Sequence, residues 1–115
     1  MMETHLEHKH KILVVDLPET LDRAAATPLR RTLQKKIISG WKLVLNWKQL
    51  TAIDSFGLDA LLVITEKALK ANSVIKLAQV SPNMRIVLEI TRACRFFEIF
   101  DTVEAAIADF QQEAE

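Results

Sequence analysis

Apolar residues fall along this chain in two alternating rhythms. Ile12-Leu13-Val14-Val15 is an unbroken apolar run that stops short of Pro18, the pattern of a buried strand. Thr4 to His10 alternate weakly and suit an edge strand beside it. From Asp22 the period becomes helical: Leu29, Leu33 and Ile37 recur at four-residue spacing, while Arg30, Arg31, Gln34, Lys35 and Lys36 take the opposite face. Thr27-Pro28 reads as an N-cap followed by proline at the first helical position, so the regular helix is expected to begin there. Gly40 is placed to end it. Trp41 to Trp47, centred on Leu43-Val44-Leu45, reads as a second buried strand.

Leu50 to Ile53 form a short apolar approach to a junction, Asp54-Ser55-Phe56-Gly57, and a helix then runs to about Asn72. Leu58, Leu61, Leu62, Thr65, Ala68 and Leu69 trace its expected inward face; Glu66, Lys67 and Lys70 trace the outward one. Val74 to Val80 is a third buried strand, interrupted by Lys76 and Gln79. Ser81-Pro82 opens another helix by serine cap and N1 proline, running toward Phe96. Phe97-Glu98-Ile99-Phe100 is a last short strand, and Asp101 or Thr102 caps a terminal helix carrying Val103, Ala106, Ile107 and Phe110 on one side. Strands alternating with helices predict an α/β fold with a mostly parallel sheet of four to five strands and about four helices. Function is then expected at the carboxyl ends of the strands, where Asp54-Ser55 lies.

Composition narrows the classes. The 115 residues suit one domain, with residues 1–10 as a polar segment or edge strand and residues 11–115 as the body. Fifteen basic and fifteen acidic residues cancel, so no global field recruits nucleic acid or an anionic membrane. Cys94 stands alone, which removes disulfide frameworks, thiolate zinc clusters and Cys-x-x-Cys redox pairs; it reads as a small buried hydrophobe. No apolar run approaches the ~20 residues that span a bilayer, and the polar start has no signal-peptide core. A cytoplasmic, soluble protein is expected.

Ser55 admits two uses. A hydroxyl where a helix begins lies beside unpaired backbone N–H groups, so it serves as a cap or as a place for a phosphate. Phosphorylation adds about −1.5 to −2 charges, which the helix start partly accommodates and Asp54 opposes. Nucleophilic catalysis is poorly served: there is no Gly-x-Ser-x-Gly elbow, and the histidines (His5, His8, His10) all lie in the polar N-terminal segment. Those histidines lack the companions of a metal site and read as a solvated tail. A phospho-acceptor aspartate of the receiver type fails because the relevant strand ends in Asn46-Trp47. Two isolated glycines, Gly40 and Gly57, build neither a P-loop nor a dinucleotide fingerprint. The basic helix face reads as solvated, and Trp41 and Trp47 as packing residues. Phe56 either folds back on the core or stands exposed as an anchor for a partner.

Ile53-Asp54-Ser55-x-Gly57-Leu58-x-Ala60-Leu61-Leu62, following a strand like Leu43-Val44-Leu45, resembles the signature of STAS domains. More closely, the chain resembles the bacterial anti-sigma factor antagonists, over roughly Lys11 to Phe110. Supporting pattern comes from Leu17 to Asp22, residues 77–82, Phe97 to Phe100 and Val103 to Ala106. The resemblance implies a STAS-like fold and partner switching without a cofactor. The unphosphorylated protein would bind an anti-sigma factor that is also a serine kinase; phosphorylation of Ser55 would break that complex, and a serine phosphatase would restore it. The resemblance places Asp22 and Asp54 at family positions; with Phe56, Gly57, Leu58 and Asp59 they are the candidates for the contact surface of a non-enzymatic regulator, expected to be a monomer or weak dimer. Three positions depart from the family's habit: Phe56 stands for a second serine or threonine, Pro18 for a glycine and Asn46 for an aspartate. The alternatives are a STAS subunit of a transporter or sensory complex that binds constitutively, and a small-ligand or nucleotide-binding domain.

Overall fold

The computed structural model describes residues 3–7 and 9–113. In chain order the elements are β1 (Glu3–Glu7), β2 (Ile12–Asp16), β3 (Thr20–Leu21), α1 (Arg23–Ile38), β4 (Lys42–Asn46), β5 (Ala52–Ile53) and α2 (Ser55–Lys70). They continue with β6 (Lys76–Ala78), α3 (Pro82–Ile90), a 3-10 turn at Ala93–Phe96, β7 (Glu98–Phe100) and α4 (Val103–Glu113). The main sheet has the order β1-β2-β4-β6-β7. Its last four strands are parallel, and β1 pairs antiparallel with β2 at the edge.

Parallel strands joined by helical crossovers are covered on both faces, which is why Ile12 to Val15 are apolar without alternation. Leu13, Val15, Leu43, Leu45 and Leu77 face α1, α2 and α3 through Leu29, Leu33, Leu61, Ile64 and Leu88. Ile12, Val14, Val44 and Ala78 face α4 through Ala106 and Phe110. Trp47 is completely buried in the larger cluster, whereas Trp41 is half-buried with the Lys11 and Lys36 ammonium groups each 5.7 Å from its ring.

The structure moves several expected features. α1 begins at Arg23, capped by Asp22, and not at Thr27-Pro28. Pro28 lies inside the helix on its exposed side, where it offers no N–H to the carbonyl one turn back. Leu69 points outward, 48% exposed, and the buried face of α2 is Gly57, Ala60, Leu61, Ile64, Thr65 and Ala68. The third helix ends at Ile90, and left-handed Arg92 (φ 61°) separates it from the 3-10 turn. Cys94 in that turn is half-buried against the core. Gly40 closes α1 with φ 89°, as its position suggested. Thr102 caps α4 by accepting the Ala105 N–H at 3.0 Å.

Lys76 is the largest departure from a simple reading. Strand alternation aims it at α4, where it is fully buried. Its ammonium donates to Glu98 (2.7 Å) on β7 and to Asp109 (2.5 Å) and Glu113 (3.0 Å) on α4. The Phe110 ring lies 4.4 Å away and that of Phe100 5.3 Å away. Burial pulls the ammonium down, but the hydrogen bonds to Asp109, Glu98 and Glu113 outweigh it and hold Lys76 above the usual lysine range. The three carboxylates are close enough together to hold a metal ion, yet the ammonium already occupies the space between them. On the same C-terminal part of α4, Gln111 reaches Glu7 at 3.5 Å, and Glu7 pairs with the His10 Nδ1 at 2.8 Å. His8 lies outside the described residues, and His5 is described in its backbone alone.

Candidate functional site

A second, two-stranded sheet sets the site. β3 and β5 are parallel, with Thr20 opposite Ala52 and Leu21 opposite Ile53. Each strand is followed by an aspartate and then by a long helix. Asp22 and Asp54 adopt nearly the same backbone conformation (φ −106°, ψ −171° and φ −105°, ψ −176°). The Asp22 Oδ1 accepts the Ala25 N–H at 3.1 Å, and the Asp54 Oδ1 accepts the Gly57 N–H at 2.9 Å. The two starts are also tied by the Asp54 N–H, which donates to the Leu21 carbonyl at 3.3 Å. Paired strands in register, each ending in the same cap, therefore start α1 and α2 side by side.

This arrangement corrects the reading of Ser55 as a cap. Asp54 performs that task, and Ser55 is the first residue of α2. Its side chain is exposed, and its hydroxyl makes no hydrogen bond to any described residue. The serine is thus free for chemistry that a capping serine could not undergo without cost.

Gly57 has a structural reason that its sequence pattern did not reveal. A Cβ there would clash with the Leu21 carbonyl oxygen and lie 2.9 Å from the Leu21 Cγ and 3.0 Å from the Ile53 Cγ1. Only glycine lets α2 pack this closely on β3 and β5. Gly57 is buried, so it shapes the junction from beneath and offers no side chain to a partner. Leu58 is half-buried against the core, while Asp59 is exposed.

Phe56 stands 52% exposed, which decides between the two placements open to it. The Arg23 guanidinium carbon lies 5.3 Å from its ring centroid. Between α1 and α2 a depression of about 200 Å³ has Arg23, Thr27 and Arg30 on one wall and Phe56 and Asp59 on the other. A shallower one adjoins it at the helix starts, shared by Asp22, Asp54, Arg23 and Phe56. Four of the expected residues (Asp22, Asp54, Phe56 and Asp59) therefore line these depressions, and exposed Ser55 lies between Asp54 and Phe56 in the chain without lining either. Arg23 and Arg30 join them unforeseen. The repeated pattern Leu21-Asp22-Arg23 and Ile53-Asp54-Ser55, an apolar residue, a capping aspartate and an N1 residue, was the available signal for Arg23.

At the ends of β2 and β4, Asp16 stands opposite Asn46, whose Nδ2 donates to the Asp16 Oδ1 at 2.9 Å. That contact closes the strand ends with a neutral amide where an acidic metal cluster would need a second carboxylate. Among the described residues no helix is long and apolar enough to cross a membrane.

The sequence matches the STAS domain family over residues 3–106. Compared by sequence with curated proteins, the chain has no match. Among solved structures, an anti-sigma-factor antagonist (STAS) domain protein from Planctomyces limnophilus superposes with a TM-score of 0.80 at 16% identity, covering 93% of this chain and 97% of that one. The phosphorylated form of the Bacillus cell fate determinant SpoIIAA gives 0.73 at 22% identity over 93% and 97%. A sulfate transporter family protein from Wolinella succinogenes gives 0.80 at 18% identity over 95% and 90%. At these identities the likeness is one of fold.

Proposed function

The chain belongs to the STAS domain family, and on that premise we propose that it is an anti-sigma factor antagonist whose binding is switched off by phosphorylation of Ser55. STAS domains are in general regulatory modules and not enzymes. The observation that carries the reading is the state of Ser55: exposed, with no hydrogen bond from its hydroxyl to any described residue, and relieved of capping by Asp54. A phosphate there meets the positive end of α2, while the cap through the Asp54 Oδ1 stays in place. The fold tolerates the modification, and the surface around Phe56 and Asp59 changes its charge. A partner that covers Ser55 would then have to desolvate a dianion, which releases it.

The partners in this reading are an anti-sigma factor that is also a serine kinase, and a serine phosphatase. Incubating the protein and its Ser55→Ala variant with native-host lysate and ATP, followed by intact mass measurement, tests it. One phosphate on the wild type and none on the variant is the expected outcome. A wild type that stays unmodified with every serine kinase of the host removes the switch. In that case the second reading, constitutive binding as a STAS subunit of a larger complex, takes its place. The exposed Phe56 ring favours that alternative, because an aromatic beside the acceptor is a ready anchor for a permanent partner.

A further inference from the structure

Arg23 begins α1 as Ser55 begins α2, in two helix starts held in register by Leu21 and Ile53. Its guanidinium lies over the ring of Phe56, the residue next to Ser55. No carboxylate of a described residue pairs with Arg23; the ring is the partner it has. Around Ser55 the fixed charges are otherwise negative: Asp54 precedes it, Asp22 holds the matching place on α1, and Asp59 lies one turn on. Of the two cations that line the adjoining depressions, Arg30 borders one and Arg23 borders both.

A phosphate on Ser55 would bring about −1.5 to −2 further charges among these three carboxylates. Arg23, first in α1 as Ser55 is first in α2 and bordering both depressions, is the cation available to meet it. An exposed cation–π contact is weak, whereas a planar guanidinium facing phosphate oxygens makes charge-assisted, bidentate hydrogen bonds. The phosphate contact is the stronger of the two, so the guanidinium is drawn from the ring toward the phosphate oxygens.

We propose that Arg23 reads the state of Ser55, stacking on Phe56 while the serine is free and turning onto the phosphate once it is modified, so that the Phe56 ring is bared. This rests on Ser55 being the acceptor. Modification then alters shape as well as charge, because the wall of the groove between α1 and α2 loses its guanidinium cover. The free form presents a cation over an aromatic ring; the modified form presents a partly compensated, still anionic phosphate beside a bared ring. Two different partners could tell these surfaces apart.

The test uses the full chain with phosphoserine encoded at position 55, in wild-type, Arg23→Gln and Arg23→Lys backgrounds. The second ionisation of the phosphate is followed by 31P NMR and the Phe56 ring by 13C-resolved spectra. The wild-type midpoint is expected about 0.5 pH unit below that of Arg23→Gln, roughly a threefold loss of proton affinity for a screened surface pair. Arg23→Lys, which keeps the charge without the planar fork, is expected to recover less than half of that shift. The Phe56 ring signals are expected to move on phosphorylation in wild type and to stay in Arg23→Gln. Equal midpoints in wild type and Arg23→Gln, or an unmoved Phe56 ring in wild type, overturn the proposal. Because the phosphoserine is built in, those results do not depend on any kinase. Absence of phosphorylation in host lysate would defeat the Ser55 switch itself and would leave this contact measurable.

Discussion

The carbonyl oxygen of Leu21 sits where the first side-chain carbon of any residue but glycine would have to stand at position 57. That contact joins the strand before α1 to the first turn of α2, and it makes Gly57 a requirement of packing. Its φ is not in the left-handed region, so conformational freedom is not the reason. Gly57→Ala is expected to lose about 1–3 kcal/mol, the usual cost of overpacking, although alanine is the better helix former. A urea midpoint equal to or above the wild type's would show that α2 moves aside freely.

Asp22 and Asp54 are expected to behave as a matched pair. Each accepts one N–H of its own helix, and replacing either by alanine is expected to cost about 1 kcal/mol. Ser55→Ala removes an exposed hydroxyl with no described partner, so its urea midpoint is expected to match the wild type's within about 0.5 kcal/mol. A loss as large as that of Asp54→Ala would return the capping role to the serine.

The order of the elements was legible because buried parallel strands and amphipathic helices leave different rhythms. Ile12 to Val15 and Leu43 to Leu45 could hardly be anything else. The helix starts were legible less well. Thr27-Pro28 imitates a start, but Asp22 lies beside the β3–β5 pairing, and that tertiary contact sets the boundary. At the junction two neighbouring residues could cap, and only the backbone conformation chooses Asp54. Arg23 and Lys76 were invisible in their roles for the same reason: their partners are distant in sequence, at Phe56 in one case and at Glu98, Asp109 and Glu113 in the other.

Lys76 fastens α4 to the sheet edge. Replacing it by methionine keeps the apolar stem and leaves three carboxylates without their cation. The cost is expected at about 2 kcal/mol, below the 3–5 of a fully buried pair because water reaches all three acids. The pH dependence has a definite sign. The folded-state pKa of Lys76 is raised above the unfolded one, so the folded form holds the proton more tightly. This stabilisation is complete below the unfolded pKa near 10.5 and is lost as pH rises through the folded value. Urea titrations between about pH 9 and pH 12, the span of lysine ionisation, are expected to show that decline in wild type and less of it in Lys76→Met. Parallel curves would remove Lys76 as its source.

Ser55→Asp separates the fold from the switch. A carboxylate in the first turn of α2 gains about 0.3–1 kcal/mol from the helix dipole and loses a similar amount against Asp54 beside it. The two effects nearly cancel, so the thermal midpoint is expected to stay close to the wild type's. Capture of the protein partner, by contrast, is expected to fail, because the new charge lies on the exposed surface next to Phe56 and would have to be stripped of water in the complex. Phe56→Ser gives the complementary result. It removes an exposed ring and one cation–π contact, about 0.5–1 kcal/mol of stability, and leaves the charge at the junction unchanged. If both variants bind the partner as the wild type does, while their melting curves also match it, the junction is not the contact surface. If Phe56→Ser alone loses binding, the ring is the anchor and Ser55 is a bystander at its edge.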